Sequence, residues 1–406
     1  MHYKPYIGNP MDCPDHWFWD HEPVVDPAQF REQFPILRDK TYLASCSQGA
    51  LSSRVRAAMG TFLDSWDRRG NPWDEWVDEA ERLRGEFASL IGADADEIAI
   101  TFSASSALNA VVGGLDLRDR PRLLATDHDF PTVGQILLAQ VQRGAVVDFV
   151  PERDGGIGAD DVTAALDRRT ALVAATHVAY RNGARLDVAA AARAAHDAGA
   201  LFVLDAYQSL GVQPVDVRAM GVDVLVAGAL KYLLGPSGVA FLYVRRDLIE
   251  TLRPLESGWF AQEDPFAFDT WHLRYAASAN RFQSGSPPIP SVYAARSGLA
   301  LVQEAGVETT AAHVERLASR LVDRASDAGY QVLTPRDPSR RGPLVVLGTR
   351  DAERLAAHLR ASGVICAPRA DGLRCGFHFY NLEEDVDRLL AQLAPHRSLL
   401  DMALPA

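Results

Sequence analysis

Apolar and polar positions fall into two periods along this chain, and their succession predicts its layout. Residues 53–68 and 74–91 place apolar side chains at roughly i, i+3, i+4 spacing, which predicts two helices broken at Asn71-Pro72-Trp73. Short apolar runs then recur at 97–102, 122–125, 146–150, 171–176 and 201–205, with helical segments at 103–117, 159–166 and 188–198 between them. Strand and helix alternating in this way predict an α/β fold with a doubly wound, mainly parallel sheet and a site at the strands' C-terminal ends. Helices at 290–304 and 307–329 lead into a smaller C-terminal α+β domain. The expected divisions are an N-terminal arm at 1–35, a large domain at 36–289 and a small one at 290–406. The arm has no period, and its His16, Trp17, Phe18, Trp19 and His21 fit an aromatic segment packing on the small domain or a partner better than a metal cluster.

Within Leu201 to Val244 one apolar run ends in Asp205, a second ends near Ala229, and Lys231 follows at once. A charge at the edge of such an apolar setting is costly, so the two residues share a partner or line a site; otherwise Asp205 caps a helix and Lys231 snorkels to water. Ala229, Leu230, Leu233 and Leu234 surround the lysine, and a Gly235-Pro236-Ser237-Gly238 turn leads into another apolar strand. A lysine in low dielectric loses its proton more easily and becomes a nucleophile for aldehydes. Upstream, Ser103 to Ser106 open a helix whose N-terminus reads either as a phosphate cradle or as an ordinary cap.

An Asp-x-x-Gln pair followed by a Lys and a Gly-Pro-x-Gly turn resembles the class V aminotransferase group of fold-type I pyridoxal 5'-phosphate (PLP) enzymes. That group takes in cysteine desulfurases, kynureninases, isopenicillin N epimerase-like proteins and carbon-sulfur lyases. The resemblance implies that Lys231 carries PLP as a Schiff base, that Asp205 pairs with the ring nitrogen and that Gln208 lies near the phenolic oxygen or the ring. It gives the phosphate to the Ala104 backbone and the Ser105 hydroxyl. It makes Phe130, in the kynureninase-like Phe130-Pro131-Thr132, the stacking residue, and it sets Tyr180 at the phenolic oxygen. Arg374 forks onto the substrate's α-carboxylate; its alternative is a surface pairing with Glu383 or Glu384. Arg374 is expected just before a strand at 375–379, with Asn381 opening the final helix.

The same resemblance makes Ser47 and Gln48 substrate contacts and sets Trp259 at the phosphate, the substrate or a subunit boundary. Gly285 and Ser286 reach across a homodimer to the neighbouring cofactor. Two features depart from the pattern. Leu230 stands where kynureninases have Tyr and desulfurases commonly His, which removes an expected phosphate donor, and Cys366 precedes Arg374 too closely for a mobile flap. The implied activity is a PLP-dependent lyase cleaving a β-substituent such as the C-S bond of a cysteine derivative. Transamination, decarboxylating or oxidative deamination and epimerisation use the same residues, and kynureninase or desulfurase chemistry ranks behind them. His177 reads as a base or a core histidine, His128 as a solvated loop residue and His378 as structural.

Composition narrows the partners. A net charge of -12 and a pI near 5.4 argue against nucleic acid. The four cysteines lack C-x-x-C spacing and fit a reducing cytoplasm. Neither a signal peptide nor a bilayer-spanning run is legible, and no metal-ligand set stands out. The expected partners are an amino-acid substrate and a second copy of the chain, with no nucleic acid and no membrane.

Overall fold

Seven apolar runs become the strands of one sheet: β1 (Ile98–Thr101), β2 (Arg122–Thr126), β3 (Val146–Val150), β4 (Thr170–Thr176), β5 (Leu201–Asp205), β6 (Val224–Gly228) and β7 (Ala240–Val244). This is a computed structural model, and it describes residues 27–370 and 372–400; the aromatic run at 16–21 lies outside the described residues. The strands lie in the order β1-β7-β6-β5-β4-β2-β3. Only β7 runs against its neighbours, so the sheet is mainly parallel, as expected.

Helices cover both faces, which is why β6 and β7 are buried at every position and show no apolar-polar alternation. Along β5, Phe202 and Leu204 pack with Phe87, Ala191 and Ala195 on one side, and Val203 packs with Ala107, Val111 and Leu137 on the other. Phe87 stacks on Phe241 at 3.9 Å between centroids. Each such side chain contributes about 1.5–3 kcal/mol by leaving water.

The helix Ala104–Gly113 starts at a cap in which the Ser103 hydroxyl accepts from the Ser106 N–H at 3.0 Å. It ends before the expected 117, because Gly113 and Gly114 weaken its last turn and the Gly114 N–H closes on Val111.

A smaller antiparallel sheet is built from β8 (Leu344–Gly348), β9 (Ala367–Arg369) and β10 (Gly372–Gly376), in the order β9-β10-β8. Helices Val307–Asp327, Ala352–Ala361 and Glu383–Leu393 share its core. Two expectations are corrected. Arg374 lies inside β10 instead of ahead of it, paired with Val346 and Ala367, and residues 377–380 form no strand. Asn381 precedes the helix that begins at Glu383; its amide donates to the Tyr42 carbonyl at 2.9 Å and to Asp385 at 3.1 Å, fastening that helix to residues 41–42. A short helix, Arg397–Leu400, follows. Among the described residues no helix is long and apolar enough to cross a membrane.

Candidate active site

The carboxyl ends of β4, β5 and β6 open into a cavity of about 350 Å³ that Lys231, Asp205, Gln208, Tyr180, Phe130 and Arg374 all line. Lys231 sits in a tight turn just after β6, where Gly235 N–H returns to the Ala229 carbonyl at 2.8 Å and Leu234 takes a left-handed φ of 58°. Ala229, Leu233 and Leu234 are buried in this turn, and Tyr232 and Leu234 share a core with Leu344 and Val346 of the small sheet. Burial lowers the Lys231 pKa from 10.5 to about 8, against the opposing pull of Asp205.

Asp205 ends β5 in register with Thr176 of β4. Its carboxyl is pushed up by burial and drawn back by the Tyr207 N–H, at 2.9 Å, and by Lys231. Burial outweighs attraction for both members of the pair, so each gains from a ligand that adds an opposite charge. Gln208 donates to the Cys46 carbonyl at 3.0 Å, while its Oε1 finds no partner among the described residues.

Arg374 is 2% exposed. Its Nη1 donates to the Tyr180 carbonyl at 3.3 Å, and its Nε and Nη2 are buried with no hydrogen-bond partner. It pairs with neither Glu383 nor Glu384. Unmet donors on a buried guanidinium cost stability, and a planar carboxylate is the group their geometry suits. Ala104 and Ser105 line the same cavity at the N-terminus of the helix Ala104–Gly113, where free N–H groups suit a phosphate. Phe130 meets Tyr180 edge-on at 5.2 Å between ring centroids. The set fits a cofactor that carries an aldehyde, a protonatable ring nitrogen and a phosphate, with room for an amino acid beside it.

Of the residues singled out in the sequence, Ser47 joins the cavity and Gln48 does not; the Gln48 amide reaches the Gly235 carbonyl at 3.4 Å. Trp259 lies in an aromatic cluster with Trp73, Phe260, Phe266 and Phe268, away from Lys231. Gly285 borders a crevice shared with Phe102 and Ser106, and the neighbouring Ser286 is exposed. His177 lines a separate cavity of about 560 Å³; its Nδ1 has no partner, and burial lowers its pKa to about 4. His128 is buried and faces Glu152 at 3.0 Å, which corrects the expectation of a solvated loop residue. His378 accepts the Phe379 N–H at Nδ1 and sits 2.9 Å from the Tyr232 carbonyl through Nε2, a structural place.

Three further residues that the sequence did not single out lie in or beside the cavity. Tyr207 lies under the amine, with Lys231 Nζ 4.4 Å from its ring centroid; its position inside the Asp-x-x-Gln motif was the available signal. Arg369 lines the cavity from β9, within electrostatic reach of Lys231. Asp129 is buried next to Phe130, and desolvation raises its pKa to about 8.

A family model described as aminotransferase class-V matches residues 68–389. The chain is 39% identical over 368 residues to an uncharacterized aminotransferase, YcbU, of Bacillus subtilis (strain 168), covering 91% of this chain and 97% of that protein. It is 32% identical over 387 residues to the kynureninase of Bacillus anthracis, covering 90% of each. Among solved structures, the apo cysteine desulfurase of Thermococcus onnurineus NA1 superposes with a TM-score of 0.83 at 22% identity, over 93% of this chain and 100% of that one. The cystine C-S lyase C-DES, in complex with cysteine persulfide, gives 0.82 at 23% identity, over 89% and 99%.

Proposed function

We infer the reaction from the premise that this chain belongs to the aminotransferase class-V family and works with pyridoxal 5'-phosphate: we propose a lyase that removes a β-substituent from an amino acid, best a sulfur substituent of a cysteine derivative. When bound, the cofactor supplies an electron sink for the bond-breaking at the substrate. Lys231 holds the cofactor through its amine and, once released by the substrate, takes the α-proton. Asp205 keeps the ring nitrogen protonated. The N–H groups at Ala104 and the hydroxyl of Ser105 would hold the phosphate, Phe130 would lie against the ring, and Tyr180 and Gln208 would serve its oxygen. Arg374 orients the α-carboxylate through Nε and Nη2, and the β-substituent leaves with its bonding electrons.

One observation supports the choice of lyase over desulfurase: among the described residues no cysteine has exposed surface at the cavity. Cys366 is 4% exposed in the core of the small sheet, with Sγ 3.7 Å from the Sγ of Cys375, and Cys46 borders the cavity with no exposed surface of its own. With no exposed thiol among the described residues to accept sulfur, this reading has the group depart on its own. Amino transfer is the second reading, favoured by the 39% identity to YcbU, which is described as an aminotransferase.

The test offers S-methylcysteine alone and, separately, a simple amino acid with a keto acid. Pyruvate and a thiol from the first are expected, at the same rate in the C366A variant. New amino acid from the second, with no pyruvate in either, sinks the lyase reading.

In the same reading the active unit is a homodimer, in which Gly285 and Ser286 of one copy close the site of the other. Ser286 is exposed and outside its own cavity, and nearby Leu255, Phe268 and Trp271 are 72%, 71% and 89% exposed, an apolar surface that a second copy would cover. Sedimentation of the loaded protein as a monomer would dispose of it.

A further inference from the structure

Gly228 ends β6 and is followed by Ala229, Leu230 and Lys231. None of the three residues ahead of the lysine has a side chain that can hydrogen-bond. A β-carbon on Gly228 would lie 2.1 Å from the Tyr207 hydroxyl and 2.2 Å from its Cζ, and the three atoms nearest to it all belong to Tyr207. The missing side chain is therefore the space that the phenol fills.

Val226, two residues before Gly228 and on the same face of β6, lines the cavity. Gly228 pairs with Ala240 of β7, and Ala240 pairs with Thr101 of β1, so the three form one row across the sheet. Two strand spacings of about 4.8 Å each separate the ends of that row. From Thr101 the chain runs straight into Ser103 and the first turn of the helix Ala104–Gly113, which packs on β6 and β7. Tyr207 lines the same cavity as Ser103, Ala104 and Ser105, and among the described residues no group hydrogen-bonds its hydroxyl.

We propose that Tyr207 is a ligand of the cofactor's phosphate, its phenol O–H donating to the anion held at the Ala104 helix turn in place of the side-chain donors that Gly228 and Leu230 lack. Burial pushes the Tyr207 phenol up to about 12, so it keeps its proton through the neutral range and acts as a donor there. The same ring carries Lys231 Nζ 4.4 Å from its centroid, so one side chain steadies the amine and reaches the phosphate.

The inference rests on the cofactor reading, and its test separates the two. Apoprotein is titrated with pyridoxal 5'-phosphate and with pyridoxal, which lacks the phosphate, and binding is followed by equilibrium dialysis. Y207F is expected to lose ~10-fold or more in affinity for the phosphate form, the effect of one hydrogen bond to a charged group, with pyridoxal binding unchanged. A Y207A/G228S variant, which returns a hydroxyl from β6 into the space vacated by the ring, is expected to recover the phosphate-dependent affinity that Y207A loses. Unchanged affinity of Y207F for the phosphate form overturns the proposal. So does an equal loss for both ligands, which would make Tyr207 a wall for the ring alone. Wild-type apoprotein that takes up neither ligand would overturn the cofactor reading itself.

Discussion

Arg374 gives one hydrogen bond to the carbonyl of Tyr180 and holds two more donors buried with nothing to receive them. β10 fixes the guanidinium and the loop after β4 aims it, so its fork is built before any substrate arrives. R374K keeps the charge and loses the planar fork, and amino-acid binding to the loaded enzyme, followed by its spectral change, should weaken ~10- to 100-fold. R374M removes a buried charge whose donors are unmet and fills the same space, so the melting temperature should hold or rise while activity collapses. A variant that loses stability and activity in step would show the arginine to be part of the framework.

Lys231 titrates at about 8 because burial outweighs the attraction of Asp205. In the unfolded chain the amine titrates near 10.5, so between these values the unfolded state binds more protons and stability rises with pH. Below about pH 8 the buried ammonium opposes folding. The same shift controls reactivity: reductive methylation of Lys231 in the apoprotein by a small aldehyde, read by mass spectrometry, should reach half its maximal rate near pH 8. D205N removes the ion that holds the proton on, and should move that midpoint lower still. A midpoint above pH 10 would mean that the amine reaches water.

The residues legible in the sequence are those whose role is local. Asp205, Gln208 and Lys231 stood out because each ends or follows an apolar strand where a polar side chain needs a reason. For Tyr207 the Asp-x-x-Gln motif marks the neighbourhood but not the role, since its place depends on Gly228 of the adjacent strand lacking a β-carbon. Asp129 and Arg369 gain their meaning from burial and from a hairpin that folds over the cavity. The strand edge at Arg374 was misplaced because an arginine is seldom fully buried inside a strand, and only the pairing of Gly372–Gly376 with β8 shows that it is. Trp259, Gly285 and Ser286 do not reach Lys231 within one chain.

Asp129 accepts the Thr126 N–H at 2.7 Å through Oδ2, and its Oδ1 is buried without a partner. Desolvation first, then the nearby Asp205, raises its pKa from 3.8 to about 8. A raised acid stabilises the fold below its unfolded pKa, and that contribution is lost as pH climbs through the folded value. The contribution of this carboxyl should therefore be lost between about pH 4 and 8. D129N, which keeps the acceptor for Thr126 and carries no charge, should be more stable than wild type at pH 8 by on the order of 5 kcal/mol and show little advantage at pH 4. Urea unfolding at the two pH values reads both; parallel curves for the two proteins would put the buried proton elsewhere.

Gly49 donates its N–H to the Leu230 carbonyl at 2.8 Å and lies against the backbone of the lysine turn. A β-carbon there would fall 2.4 Å from the Lys231 carbonyl oxygen and 2.9 Å from a Leu234 methyl. The nearest obstacle is backbone, which cannot rotate aside, so the turn itself must shift and carry the amine with it. G49A should cost about 1–3 kcal/mol of stability and also loosen cofactor binding, because the strain is placed at Lys231. Gly60 provides the control: it sits in the helix Ser53–Arg69 with nothing within 4 Å of an added β-carbon. G60A should stabilise by about 0.5–1 kcal/mol and leave cofactor affinity alone. Equal behaviour of the two variants in a thermal melt and a cofactor titration would mean that the lysine turn has slack and that its position does not depend on residue 49.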